Sequence, residues 1–193
     1  MIIAVFGNKT QTHIFLNHLL EIDYKPKFLI TLNKETKSKI NISGEFKELD
    51  VWSKKNGIRV HYPSNYKLIS NEDINFFKNQ NFDIGFCLGW QRLIPEEILK
   101  TFKYGVFGWH GSGFQFPNGR GRSPINWSIR LELNLIYHNF FKYSLGVDDG
   151  EVFDTKIIKI LDTDYISDVQ SKALIHILES TTKLLKQNFK KKL

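Results

Sequence analysis

Apolar positions along this chain come in short blocks, and the spacing inside the blocks changes from one to the next. Met1–Phe6 is a continuous apolar run and predicts a buried first strand. Residues Thr10–Glu21 place Phe15, Leu16, Leu19 and Leu20 at helical spacing and predict a helix. Lys27–Thr31 predicts a second strand. Residues 33–45 are polar without a period and are expected to form loops. Phe46–Lys55 predicts a weak helix ended by Asn56-Gly57, and Ile58–Tyr62 a third strand stopped by Pro63. Asn71–Lys78 carries Glu72 and Asp73 in its first turn, where carboxylates suit the helix dipole.

Phe82–Leu88 is apolar at successive positions, as a strand covered on both faces requires. Pro95 opens a helix to about Lys100, and Gly105–His110 predicts a fifth strand. Strands alternating with helices argue for an α/β fold with a mostly parallel sheet flanked by helices. The period then changes. Leu135–Tyr143 and Glu151–Ile160 read as two strands around a Gly-Val-Asp-Asp-Gly turn, an antiparallel addition. Residues 168–187 form the clearest helix, with Leu174, Ile177, Leu178, Thr181, Leu184 and Leu185 in one stripe.

Composition narrows the class. The 193 residues are enough for one domain with a substantial core, and 41% hydrophobic content with 14% aromatic excludes a disordered chain. We expect a single domain over 1–193: βα units over 1–110, a loop, helix and added strands over 111–165, and a C-terminal helix and basic tail over 166–193. The single cysteine, Cys87, excludes an intrachain disulfide and thiolate zinc motifs, and its apolar setting reads as a buried small residue. No site for a metal is expected. No signal peptide and no membrane span are read from the sequence, so a cytoplasmic protein is expected. The net charge of +7 is spread over scattered lysines, except in the terminal KQNFKKKL, which reads as a solvated, frayed helix end, the alternative being contact with an acidic partner. It does not point to nucleic acid.

The chemistry concentrates in Gly105–Trp127. In a parallel sheet, sites lie beyond the carboxyl ends of the strands. The fifth strand delivers His110 there, and strand alternation puts Gly108 and His110 on one face and Trp109 on the other. His110 is a candidate general acid or base, since imidazole titrates near neutrality. The alternative is a histidine bonded to a loop carbonyl. Arg120-Gly121-Arg122-Ser123-Pro124 follows, with Ser123 as N-cap and Pro124 in the first helical position. A helix from Pro124 to about Leu131 would offer N–H groups and two arginines to an anion. Alternatively, the arginines brace the loop through carbonyls and carboxylates. Taken alone, Asp148 and Asp149 form an ordinary turn. Beside a histidine site, Asp148 becomes a candidate carboxylate to orient the imidazole.

These features, in this order, resemble the folate-dependent formyltransferase family, which includes sugar N-formyltransferases, glycinamide ribonucleotide formyltransferase and the catalytic domain of methionyl-tRNA formyltransferase. The family pattern is roughly Asn-x-His-x-Ser, a Pro-containing loop, Arg-Gly-x-x-Pro with a following Trp, and Asp in a Gly-x-Asp-x-Gly turn. Here Gly108, His110, Ser112, Pro117, Arg120, Gly121, Pro124, Trp127 and Asp148 correspond. The likeness covers about Phe82–Thr163. Two departures are visible: Gly108 stands where the family has Asn, and the loop between Ser112 and Arg120 is longer by about two residues.

The resemblance implies a Rossmann-like, formyltransferase-like fold. It implies an enzyme that moves a formyl group from N10-formyltetrahydrofolate to an amine. His110 and Asp148 would be catalytic. Gln91, Arg92, Leu93, Ile94 and Asp149 would hold the folate. Gly108, Ser112, Arg120, Gly121 and Arg122 would bind the acceptor or shape the loop. In the family, Asn and the protonated His stabilise the oxyanion; losing one such donor costs about 10²–10³ in rate, and Gly108 supplies none from a side chain. Water, a substrate group, Ser112 or Gln91 are the stand-ins the sequence offers. The extra C-terminal domain expected of the tRNA enzyme is not read in the sequence, and the purine enzyme is expected to keep the Asn. The expected acceptor is therefore an amino sugar, nucleotide-linked, in surface polysaccharide biosynthesis. Alternatives are a glycinamide ribonucleotide formyltransferase, a formyl hydrolase, or a non-catalytic binding protein. A homodimer is left open.

Overall fold

The computed structural model describes residues 1–40 and 46–186. Its strands are β1 (Ile3–Phe6), β2 (Phe28–Ile30), β3 (Arg59–His61), β4 (Ile84–Cys87), β5 (Gly105–Ser112), β6 (Leu135–Lys142) and β7 (Val152–Lys159). The helices are α1 (Thr10–Glu21), α2 (Lys34–Lys39), α3 (Asp50–Lys55), α4 (Asn71–Lys78), α5 (Glu96–Leu99), α6 (Pro124–Arg130) and α7 (Ile166–Lys186). The strands form one sheet in the order β3-β2-β1-β4-β5-β6-β7. The pairs β1/β2, β1/β4 and β2/β3 are parallel, and β6/β7 is antiparallel. Packing divides the chain into two compact units, Met1–Phe107 and the residues from Gly108 onward.

In the first unit, every residue of β1, β2 and β4 is buried, which is why these strands read as unbroken apolar runs. Phe6 stacks on Phe77 at 5.6 Å, and Phe82 on Phe102 at 5.1 Å. Helix α1 is tied down by Phe15, edge-on to Phe86 at 5.4 Å, and by Thr12, whose hydroxyl donates to the Leu88 carbonyl at 2.9 Å. Cys87 is free and buried.

The polar stretch expected to be loops contains α2. No residue of α2 is buried, and local bonds hold it: the Asn33 side chain accepts from the Thr36 N–H at 2.7 Å, and Lys39 pairs with Glu35 at 2.6 Å. Caps and an i,i+4 pair replace the apolar face that the periodicity argument looks for. Residues 41–45 of that stretch, and the tail from Gln187, lie outside the described residues. Helix α3 starts at Asp50, later than expected, and Pro95 is the N-cap of α5 rather than its first helical residue.

In the second unit, β6 and β7 pair from Leu135↔Lys159 to Phe141↔Val152, with a register shift between Phe140 and Phe141. Helix α7 covers this hairpin through a core of Ile136, Ile158, Val169 and Ala173. Its buried stripe is Val169, Ala173, His176, Ile177, Ser180, Thr181 and Leu185, partly different from the one expected. Leu174, Leu178 and Leu184 are only half-buried. The difference arises because the stripe contains polar residues with local partners. Ser180 donates to the His176 carbonyl and accepts from the Trp109 indole N–H at 2.9 Å, and Thr181 donates to the Ile177 carbonyl. Trp109 stacks on Phe140 at 5.0 Å, which holds one face of β5 against β6 and α7.

A buried histidine pair completes this layer. His138 Nδ1 and His176 Nδ1 lie 2.8 Å apart, an arrangement satisfied when one ring donates and the other accepts. Burial, with the neighbouring His176 second, pushes the His138 pKa down to about 3, and burial also lowers that of His176. Both rings are therefore neutral in the fold, while the unfolded chain binds protons below about pH 6.5. Stability from the neutral His138 ring is present in full above that value and is lost as pH falls toward 3, with a slope approaching about 1.4 kcal/mol per pH unit, and His176 adds to the loss in the same direction. Denaturant melts between pH 7 and pH 4.5 are expected to show this slope. A His138→Asn variant, less stable at pH 7, is expected to show a flatter one.

Candidate functional site

Strand β5 runs two residues past its expected end, to Ser112, and its faces differ in chemistry. One carries Phe107, Trp109 and Gly111; a Cβ on Gly111 would meet His138 Cδ2 at 2.8 Å. The other carries Gly108, His110 and Ser112. His110 is 6% exposed. Its Nε2 lies 2.7 Å from the Gly119 carbonyl and its Nδ1 3.3 Å from Asp148 Oδ2. Both ring nitrogens thus face acceptors, and the doubly protonated imidazolium satisfies both contacts by donating twice. The two readings of His110, an imidazole beside a carboxylate and an imidazole on a loop carbonyl, are met by the same ring.

The loop after β5 is closed by hydrogen bonds rather than by a core. The Gly121 N–H donates to Asp148 Oδ2 at 2.8 Å, so one carboxylate oxygen touches both the histidine and the loop. Arg120 pairs with Asp149 Oδ1 at 2.9 Å and lies over the Phe116 ring at 5.7 Å. Bracing by a carboxylate is the arrangement observed for Arg120, while Arg122 is exposed. Ser112 Oγ accepts from the Phe114 N–H at 3.2 Å, and Gly113 N–H donates to Ser128 Oγ at 2.7 Å, tying the loop start to α6. Ser123 stands at the cap of α6, but its backbone is left-handed (φ 56°) and its side chain caps nothing; the expected Ser cap is corrected on that geometry. A left-handed residue turns its hydroxyl away from the first helical N–H groups, which a cap must accept from.

Asp148 itself is left-handed (φ 44°), a conformation that Asp tolerates better than most residues. It is delivered by the β6–β7 turn, closed by Ser144 N–H to the Asp149 carbonyl at 3.0 Å and Lys142 N–H to the Glu151 carbonyl at 2.9 Å. Sequence reasoning missed three parts of this site: the Gly119 carbonyl, and the rings of Phe116 and Phe141. Phe116 lies 5.4 Å from His110 and edge-on to Phe141 at 5.7 Å. No motif marks the two phenylalanines, and a backbone carbonyl has no sequence signal.

The residues assigned to the folate lie in both units. Gln91, Arg92, Leu93 and Ile94 are in the first. There the Gln91 N–H donates to the Tyr66 hydroxyl at 2.9 Å, and the Arg92 guanidinium donates to the Gln91 carbonyl at 2.7 Å and sits 4.8 Å over the Tyr66 ring. Burial raises the Tyr66 pKa, which keeps the phenol neutral under that cation. Ile94 is buried and Leu93 is exposed. Asp149 is in the second unit, engaged with Arg120. Among the described residues, no group of three or more His, Cys, Asp or Glu is placed to hold a metal ion, and no helix is long and apolar enough to cross a membrane.

The fold has close counterparts. Phosphoribosylglycinamide formyltransferase from Bacillus halodurans superposes with a TM-score of 0.76 over 97% of this chain and 96% of that one, at 16% identity. The fold is that of the formyltransferases. A sugar N-formyltransferase from Shewanella sp. FDAARGOS_354 superposes with a TM-score of 0.67 over 96% of this chain and 68% of that one, at 14% identity. In sequence, the chain is similar to the bifunctional polymyxin resistance protein ArnA of Wigglesworthia glossinidia brevipalpis, 28% identical over 97% of this chain and 28% of that protein. It is also similar to methionyl-tRNA formyltransferase of Prochlorococcus marinus strain MIT 9215, 29% identical over 62% of this chain and 37% of that one. The chain thus spans about a third of the length of these curated relatives. No family model matches it. These likenesses bear out the family resemblance drawn from the motifs.

Two loop glycines separate sterics from backbone strain. A Cβ on Gly119 (φ 70°) would lie 2.8 Å from Ser112 Cβ, whereas one on Gly121 (φ 101°) meets nothing within 4 Å. Gly121→Ala is expected to cost about 1–2 kcal/mol from the backbone alone, and Gly119→Ala roughly twice that. Equilibrium denaturation of the two variants checks the order.

Proposed function

We propose that this chain catalyses transfer of a formyl group from N10-formyltetrahydrofolate to the amine of a nucleotide-linked amino sugar. The observation that carries the reading is His110, held between the Asp148 carboxylate and the Gly119 carbonyl on the functional face of β5. By exchanging its Nε2 contact with the Gly119 carbonyl for one with the substrate, that ring can donate a hydrogen bond to a developing oxyanion, while Nδ1 stays on the carboxylate, which offsets the charge.

The unprotonated amine nitrogen attacks the formyl carbon, a new C–N bond forms, and the carbonyl π pair moves to oxygen. His110 donates to that oxygen. When the tetrahedral species collapses, the C=O bond returns and the bond from carbon to N10 breaks. The proton lost by the amine ends on N10. Asp148 fixes the ring and shares its oxygen with the Gly121 N–H, so the loop and the acid are positioned together. Gln91–Ile94 are assigned to the folate through their backbone, with the exposed Leu93 as an apolar contact for a planar ring. Arg122, exposed in the loop, is assigned to the acceptor's phosphates, and Arg120 to shaping the loop.

Support for an amino sugar comes from the sugar N-formyltransferase fold and from the departure at Gly108. The purified chain is to be given N10-formyltetrahydrofolate with, separately, nucleotide-linked amino sugars, glycinamide ribonucleotide, methionyl-tRNA, or no amine. Formylation of the amino sugar is expected to be fastest. Donor loss at the same rate without any amine would make the protein a hydrolase. His110→Asn is expected to lower kcat by about 10²–10⁴ while folate binding, read by calorimetry, is kept.

A further inference from the structure

Gly108 is not beside empty space. A Cβ built on it would lie 2.5 Å from the Tyr143 hydroxyl oxygen and 2.7 Å from its Cζ, with Cε1 closer still. The phenol therefore fills the volume that any side chain at position 108 would enter. That volume is on the His110 face of β5, two residues before the histidine. By ordinary bond lengths an amide nitrogen or oxygen on residue 108 would stand about 2.4 Å from its Cβ, the radius at which the Tyr143 oxygen is found.

The ring is held there from two sides. Tyr143 stacks on Phe141 at 5.2 Å, and Phe141 continues through Phe116 to His110. The residue follows the last residue of β6, and the turn that begins with it ends at Asp148 and Asp149, so one hairpin delivers both the phenol and the carboxylate. Tyr143 is half-buried. Phenols serve as oxyanion donors where they are preorganised beside the reacting carbonyl.

We propose that Tyr143 is a catalytic residue, its hydroxyl donating to the oxyanion together with His110 in place of a side chain at position 108. This rests on the formyl-transfer reading above. The substitution pair Gly108 and Tyr143 then acts as one unit. The hydroxyl stays protonated throughout; it donates a hydrogen bond and transfers no proton.

The test uses the full chain, N10-formyltetrahydrofolate, and the amine that the wild type formylates fastest. Tyr143→Phe keeps the ring and its stack and removes only the oxygen. It is expected to lower kcat 10²–10³-fold with KM for both substrates and the thermal midpoint little changed. Gly108→Asn alone is expected to be destabilised by collision with the ring. Tyr143→Ala combined with Gly108→Asn is expected to recover stability, which relief of the collision gives in any case, and to be faster than Tyr143→Ala alone, because the amide restores a donor where the phenol oxygen stood. A Tyr143→Phe enzyme as fast as wild type overturns the proposal. Absence of wild-type transfer to every amine overturns the formyl-transfer reading, and this one with it.

Discussion

The site depends on one oxygen atom, Asp148 Oδ2. It faces His110 Nδ1 and accepts the Gly121 N–H. Through it an imidazole on a strand, a loop of glycine and arginine, and a hairpin turn share a single anchor. Separately these parts are weakly held: the loop has no core, and the turn is left-handed at Asp148 itself. Hydrogen bonds to an ionised acceptor are roughly twice as strong as neutral ones, which is what lets one carboxylate hold a segment with so little apolar burial.

Behind that anchor stands a packed layer. Trp109, Phe140, His138 and His176 fix β5 and β6 on the face away from His110, with the Trp109 indole donating to Ser180 and the two histidines sharing one hydrogen bond. A strand held on one face by stacking can present chemistry on its other face without tolerance for drift. The aromatic path from Phe116 through Phe141 to Tyr143 does the same work on the functional face.

Much of this was legible in the sequence because it rests on period. The buried parallel strands read as apolar runs, α1 and α4 match their expected bounds, and the hairpin is where the alternation placed it. His110 and Asp148 were legible as residue types at the ends of elements. Helix α2 was not, because its stability comes from a cap and an ion pair that leave no apolar pattern. The α7 stripe was misread where Ser180 and His176, polar residues with a hydrogen-bond partner, are buried in place of Leu174, Leu178 and Leu184. Tyr143 escaped because its place is defined by the glycine it covers, a contact between a strand and a distant turn that no single segment reveals.

The alternation along β5 has an evolutionary consequence. Odd-numbered positions from 107 to 111 carry the load of packing, and even-numbered ones from 108 to 112 carry the chemistry. Changes on the second set alter what the strand can react with, while the first set keeps the strand in place. A lineage can therefore exchange one hydrogen-bond donor for another at the site, in single or paired steps, without passing through an unfolded ancestor. Under the role proposed for Tyr143, the glycine at 108 is the counterpart of such an exchange, the donor arriving from the turn after β6.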